Sequence, residues 1–262
     1  MTETARSAAS SAVVVARLRA AGCVFAEDEA QILVAAAADP VALERLVQRR
    51  VAGEPLEYIT GSVEFGDLQV SVIPGVFVPR QRSLLLVEIA VELALPAATI
   101  VDMCCGSGAL GSVLATRLPA ATIVAADIDP VAADCARVNL AGRGQVHLGD
   151  LFDALPHELG RHIDVVVCNA PYVPTAAIAT MPPEAREHEP QATLDGGVDG
   201  LDLLRRVAVS APRWLARPSH LVMEVGASQA HTACDIFTAA GFAASIRRDD
   251  DRGAIAVVGV LD

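Results

Sequence analysis

From Ala98 onward the chain repeats one unit: a short apolar run, a turn carrying acids or glycines, and a helix-like segment. "ATIVDMCCGSGALGSVLATRL" is followed by "ATIVAADIDPVAADCARVNLA". Further β segments come from "IDVVVCNAPY", "HLVMEVGASQAHTACDIFTAAGF" and "AIAVVGVL". This alternation predicts an α/β domain built on a mostly parallel, doubly wound sheet. Ligands of such sheets sit beyond the carboxyl ends of the strands. The informative residues are therefore those that end each strand, here Asp102, Asp127, Asp150 and Asn169.

The first hundred residues have a different texture. From about Ser10 to Gly53 the pattern is helical, with Gly22 as a stop, Pro40 between two helices and Gly53 as the end. "EFGDLQVSVIPGVFVPR" reads as a hairpin or paired extended segments, broken at Gly66-Asp67 and Pro74-Gly75. The expected division is a helical domain over residues 1–60 that binds the substrate partner away from the site, a connecting β-hairpin over 61–79 and a catalytic domain over 80–262.

Composition removes several function classes. The chain is 53% hydrophobic, so it can bury a sizeable core. No run of about 18 uncharged apolar residues appears, so no membrane partner is expected. The N-terminus lacks the basic start and continuous apolar stretch of a signal peptide, which implies a cytoplasmic protein. Six cysteines are scattered without a CxxC pair, so neither a zinc site nor a disulfide framework is expected. The net charge of −12 denies the chain the general attraction that supports nucleic-acid binding. A protein or small-molecule partner fits better, and a monomer is expected.

The strand ends suggest a nucleoside-like cofactor. In "VDMCCGSGALG", Cys104, Gly106 and Gly108 form a tight turn that lets a ligand approach the backbone. Asp127, followed by Ile128, ends the second strand, where a carboxylate accepts from two ribose hydroxyls. Asp102 beside the glycine turn would repel a pyrophosphate but attract an ammonium. S-adenosylmethionine has an ammonium, a ribose and no phosphate. Asp150 is suited to an adenine amino group, with Leu151 and Phe152 flanking the ring. Any one of these acids can equally be a helix cap or turn residue; the ordered set is what suggests a site.

"CNAPY" then explains itself chemically. The Asn169 side chain offers an oxygen. Ala170 precedes Pro171, which biases it to extended backbone and can project its carbonyl beside that oxygen. Two acceptors that converge can hold both hydrogens of an NH₂ group, and Tyr172 can supply a flat wall. This geometry suits methylation of a planar nitrogen by positioning and electrostatics rather than by a strong base.

With these motifs the chain resembles the HemK/PrmC-type protein-(glutamine-N5) methyltransferases, which modify the glutamine of a Gly-Gly-Gln motif in peptide-chain release factors. The resemblance extends over "GEPLEYITGSVEFGDLQVSVIPGVFVPR", "VDMCCGSGALG", "CNAPYV" and "EHEPQATLDGGVDGLDLLRRV". It implies a class I S-adenosylmethionine-dependent methyltransferase with a Rossmann-like, seven-stranded sheet and a release factor as protein substrate. Asn169 and the Ala170 carbonyl would grip the amide. Asp102, Gly106, Asp127 and Asp150 would line the cofactor site. Phe77, Pro79, Arg80 and Tyr172 would shape the pocket, with Glu189 and Pro190 near its mouth. The chain departs from the family at Ala170, where a proline is usual, at Ser83 and Leu84 in place of Thr and Glu, and at Cys105 in place of Gly. An amino methyltransferase for a metabolite or a nucleic-acid base, and a non-catalytic cofactor-binding homologue, remain alternatives at this point.

Overall fold

The computed structural model describes the backbone of residues 3–262 and the side chains from residue 11. Four helices come first: α1 (Glu3–Ala20), α2 (Ala26–Ala36), α3 (Pro40–Val51) and α4 (Leu56–Thr60). The sequence signals act as expected for α3. Pro40 sits in its first turn, and the Asp39 side chain accepts from the Ala42 N–H at 2.7 Å. These helices enclose a small core of their own around Val14, Leu18, Leu33, Val47 and Ile59.

A hairpin follows, β1 (Ser62–Phe65) paired antiparallel with β2 (Leu68–Ser71). Its two-residue turn is Gly66-Asp67, and Gly66 has φ 57°, a conformation that two-residue hairpins require. Phe65 is fully buried against the next unit, so the hairpin is anchored rather than free.

The remaining elements are α5 (Leu84–Leu93), β3 (Thr99–Met103), α6 (Ala109–Arg117), β4 (Thr122–Asp127), α7 (Pro130–Asn139), β5 (Gln145–Leu148) and β6 (Ile163–Cys168). After them come α8 (Pro183–His188), α9 (Asp202–Ser210), β7 (Leu215–Glu224), α10 (Ala230–Ala239), β8 (Ala243–Asp249) and β9 (Ala254–Leu261). Seven strands form one sheet in the order β5-β4-β3-β6-β7-β9-β8. The first five are parallel, and β9 runs antiparallel to both its neighbours. This is the mostly parallel sheet that the strand pattern predicts.

The chain works outward from β3 through β4 to β5 and then returns to place β6 on the other side of β3. That reversal opens a crevice above the carboxyl ends of β3 and β6. Asp102 and Asp164 aside, β3 and β6 are apolar on both faces because helices cover both sides. One face carries Phe152, Phe237 and Phe242; the other carries Leu86, Ile89 and Leu114. β8, with the sequence "AASIRRD", gives a weaker signal than the other strands. It lies at the sheet edge, and its residues alternate between half-buried and exposed.

Phe237 is fully buried with its ring centroid 5.6 Å from that of Phe242. Phe237→Ala is expected to cost about 3–5 kcal/mol in urea unfolding through the cavity it leaves. Val209, 70% exposed, should tolerate alanine within about 0.5 kcal/mol. Equal losses at the two positions would contradict this assignment of the core.

Candidate active site

A cavity of about 240 Å³ lies over the carboxyl ends of β3, β4 and β6. Its floor and walls come from the turns that follow those strands and from the segment after the hairpin.

The turn after β3 is held by backbone geometry. Cys104, Gly106 and Gly108 all have positive φ, at 57°, 55° and 74°. Cys104 and Gly106 line the cavity. Gly108 does not; a Cβ there would lie 3.0 Å from the Ala136 Cβ and 3.1 Å from its Cα, so this glycine lets α6 approach α7. Its role is packing, and the expected ligand contact is corrected.

Asp102 requires a second correction. It does not line the cavity but sits fully buried beneath the turn. The strand pleat sends its side chain toward α6, where Oδ2 accepts from the Gly111 N–H at 2.8 Å. Oδ1 is buried with no hydrogen-bond partner. Burial pushes its pKa up to about 8, against the opposing pull of the Gly111 N–H and with a small addition from Asp127.

Asp127 does line the cavity. Its Oδ2 accepts from the Gly106 N–H at 2.8 Å and its Oδ1 from the Asp129 N–H at 2.9 Å. Two backbone donors thus fix the carboxylate, while each oxygen keeps acceptor capacity for a hydroxyl. Ile128 beside it is 67% exposed at the cavity rim. Asp150 and Leu151 line the third strand end. Asp150 also pairs with Arg206, Oδ2 to Nη2 at 2.6 Å. Phe152 is turned away from the cavity: it is buried in the core and stacked on Trp214 at 5.9 Å between centroids. The expectation that it flanks a ring is corrected. Leu151 at φ 50° starts a short 3₁₀ turn that carries Phe152 beneath the sheet end.

Asn169, Ala170, Pro171 and Tyr172 all line the cavity. The Asn169 Nδ2 donates to the Ser83 hydroxyl at 3.1 Å. With the amide's donor end engaged there, its oxygen is the end left for a ligand. Among the described residues, no protein donor reaches Asn169 Oδ1 or the Ala170 carbonyl. Tyr172 is clamped at both ends. Its hydroxyl donates to Glu224 Oε1 at 2.8 Å and accepts from Arg82 Nη2 at 2.8 Å. Its carbonyl accepts from Gln229 Nε2 at 2.8 Å. Burial, with the Glu224 carboxylate adding, pushes the phenol well above the usual tyrosine range.

Arg82, Glu224 and Gln229 are site residues that the sequence did not mark, and Ser83, marked only as a departure from the family, proves to be the partner of Asn169. Glu224 ends β7, so the strand-end rule that found the other acids applies to it as well. Gln229 gave no such signal. "LDGGVDG" has a plain structural reason. A Cβ on Gly196 would lie 2.7 Å from the Pro171 carbonyl oxygen, and one on Gly200 2.2 Å from that of Tyr172. Only bare backbone fits against the turn after β6.

On the far side, Phe77, Pro79, Arg80 and Pro190 line the mouth. The Arg80 guanidinium stands 5.2 Å from the Phe77 ring centroid and pairs with Glu189. Glu189 is buried and lies behind the wall rather than in it, so it anchors Arg80 instead of meeting a ligand directly. Among the described residues, no group of three or more His, Cys, Asp or Glu side chains is placed to hold a metal ion.

Two measurements check this geometry. Gly200→Ala meets the Tyr172 carbonyl, whereas Gly241→Ala, at φ 96°, has nothing within 4 Å. Both lose the freedom of glycine, but G200A should cost about 1–3 kcal/mol more in urea unfolding. The second concerns Asp102, whose folded pKa lies above its unfolded value. The native state then binds the extra proton between about pH 4 and 8, so stability falls as pH rises through that window. Against Asp102→Asn, the wild type should lose about 1.4 kcal/mol per pH unit from pH 5 to 7.5. Parallel pH profiles would rule out a raised pKa.

The methyltransferase small domain family matches residues 68–184. A release factor glutamine methyltransferase of Geobacter sulfurreducens is 40% identical over 217 residues, covering 82% of this chain and 75% of that one. A 4-amino-L-phenylalanine/4-methylamino-L-phenylalanine methyltransferase of Streptomyces pristinaespiralis is 35% identical over 203 residues, covering 74% and 69%. Among solved structures, a methyltransferase of Pyrococcus furiosus matches with TM-score 0.56 at 12% identity, covering 74% of this chain and 89% of that one. That likeness concerns the fold alone. With its sheet order, its cavity at the β3–β6 reversal and relatives of this similarity, the chain belongs to the release factor glutamine methyltransferase family.

Proposed function

We propose that this protein methylates the side-chain amide nitrogen of a glutamine, in the Gly-Gly-Gln loop of a peptide-chain release factor, with S-adenosylmethionine as donor. The bound cofactor supplies an electrophilic methyl group on a sulfonium. The residues present fit it. Asp127, held by two backbone N–H groups, accepts from ribose hydroxyls. Ile128 and Leu151 offer apolar surface at the rim, and Asp150 offers an acceptor. The turn through Cys104 and Gly106 lets the cofactor's slender end approach the backbone. A positive group above that turn would favour ionisation of the buried, half-satisfied Asp102, whose raised pKa otherwise keeps it protonated near neutral pH.

The observation that carries the reading is the pair of unclaimed oxygens, Asn169 Oδ1 and the Ala170 carbonyl, in one cavity wall. An amide nitrogen is a weak nucleophile because its lone pair is delocalised. Two acceptors hold its hydrogens, turn the lone pair toward the methyl group and stabilise the positive charge that builds on nitrogen. Ser83 orients the Asn169 amide, and the clamp on Tyr172 fixes the wall beside it. The nitrogen becomes acidic as it bonds, and its proton then passes to solvent. The loss of proline at position 170 leaves the accepting carbonyl intact, so the departure is compatible with turnover.

Labelled S-adenosylmethionine with a purified release factor tests this directly. Label should appear on the wild-type factor and not on one whose loop glutamine is alanine. Asn169→Ala should lower transfer at least ~100-fold with little change in cofactor affinity. Asp127→Ala should weaken cofactor binding first. Ser83→Ala should lower kcat about tenfold through loss of one orienting hydrogen bond. A planar aromatic amine presents the same NH₂ to the same oxygens, and the Streptomyces relative is named for such a substrate. An aromatic amine methylated in preference to the release factor would select that second reading.

A further inference from the structure

Behind the Tyr172 wall lies a second cavity, also of about 240 Å³. It shares Arg82 and Tyr172 with the first cavity, so the two adjoin across that wall. Glu224 lines it and is 96% buried, being 4% exposed. Its carboxylate is used unevenly. Oε1 accepts from both the Tyr172 hydroxyl at 2.8 Å and Arg82 Nε at 3.0 Å. Oε2 is buried and accepts from nothing. A buried carboxylate oxygen without a donor is costly, and it is a place where an arriving donor would be bound.

The surroundings limit what that donor can be. Arg82 already balances the charge of Glu224, so the cavity does not call for a cation. Gly226, Ala227 and Gly253 line it and leave room for slender groups rather than for a long side chain. Met223 lies beside Cys168 in the parallel register of β7 and β6, so Glu224 and Asn169 are the next residues on neighbouring strands. Neighbouring strands lie about 4.8 Å apart, and the four bonds from a glutamine Cα to its side-chain amide nitrogen span on the order of 5 Å when extended. A chain that delivers its side-chain amide to Asn169 therefore carries its adjoining main chain past Glu224. Arg82, whose side chain is 44% exposed, lines both cavities at the approach to Glu224.

We infer that Glu224 is a substrate-binding residue that accepts a main-chain N–H, within one residue of the methylated glutamine, from the peptide substrate. This rests on the glutamine reading above. It gives the site a way to recognise a peptide, as distinct from a free amide, without reading a side chain.

The test pairs a change in the enzyme with a change in the substrate. Short glutamine peptides are prepared in which one amide at a time, at the glutamine and at each neighbour, is replaced by an ester. The ester keeps the shape and removes the N–H. With the wild type, one of these esters should lower kcat/KM about tenfold, the effect of a single hydrogen bond to a charged group. With Glu224→Gln, whose amide can still accept from Tyr172, the penalty for that ester should vanish. Glu224→Asp, which withdraws the carboxylate but keeps its charge, should shrink it and serves if the glutamine variant does not fold. Ester penalties identical in the wild type and both variants would overturn the subsite while leaving glutamine methylation standing. No transfer to any glutamine peptide by the wild type would overturn the glutamine reading and the subsite with it.

Discussion

The site depends on one constraint: the turn after β6 must hold two oxygens still while facing an open cavity. Loops at such positions carry function but are mobile unless something fixes them. Here the turn is fixed from four directions. Ser83 takes the Asn169 amide, Gln229 takes the Tyr172 carbonyl, Glu224 and Arg82 take the Tyr172 hydroxyl, and Gly196 and Gly200 pack on it as bare backbone. Gln229 also donates to the Asp199 carbonyl at 2.8 Å, so one side chain ties both loops together. The supports come from segments far apart in the chain, which is why the acceptor geometry belongs to the whole fold and not to a four-residue motif. Preorganisation of this kind removes the reorganisation that water would otherwise need.

The cofactor side works by a different balance. Asp127 is half-buried yet doubly satisfied by backbone donors, and burial still raises its pKa. Asp102 is fully buried and half satisfied. The first faces the cavity and the second lies under the turn that lines it. Its single bond to Gly111 also fixes the start of α6, so the acid links the conformation of the turn to the helix that follows. A carboxylate in that position lowers stability at neutral pH, and its presence is easier to understand if a positive ligand sits over the turn during function.

The sheet was legible because its strands are short, apolar and separated by turn signals. The edge strand β8 was not, because an edge strand with one partner tolerates "SIRRD", which has no apolar alternation strong enough to mark it. The strand-end rule located Asp127, Asp150 and Asn169 in the cavity wall but failed for Asp102. Position along a strand says where a residue is, whereas the pleat decides which face it takes, and Asp102 takes the face under α6. Phe152 failed for a related reason: one left-handed residue, Leu151, reverses the side-chain direction, and nothing in "DLF" announces it. Gln229 was invisible because the acceptors of its NH₂ are main-chain carbonyls 30 and 57 residues away.

The helical domain connects to this site through charge buried among its own helices. Arg50 on α3 is 8% exposed. It donates to both oxygens of Glu29, at 2.6 and 3.1 Å, to the Glu54 carbonyl at 3.0 Å, and to Glu184 on α8 at 2.9 Å. α8 lies between Met181 and Pro190, both of which line the main cavity. A buried ion network adds little net stability over a well-packed apolar contact, but removing one partner strands the others. Its value is in geometry: a guanidinium with fixed forks permits one arrangement of three segments and penalises the rest. Arg50 thereby ties α8, and with it the segment between Met181 and Pro190 at the cavity mouth, to α2 and α3.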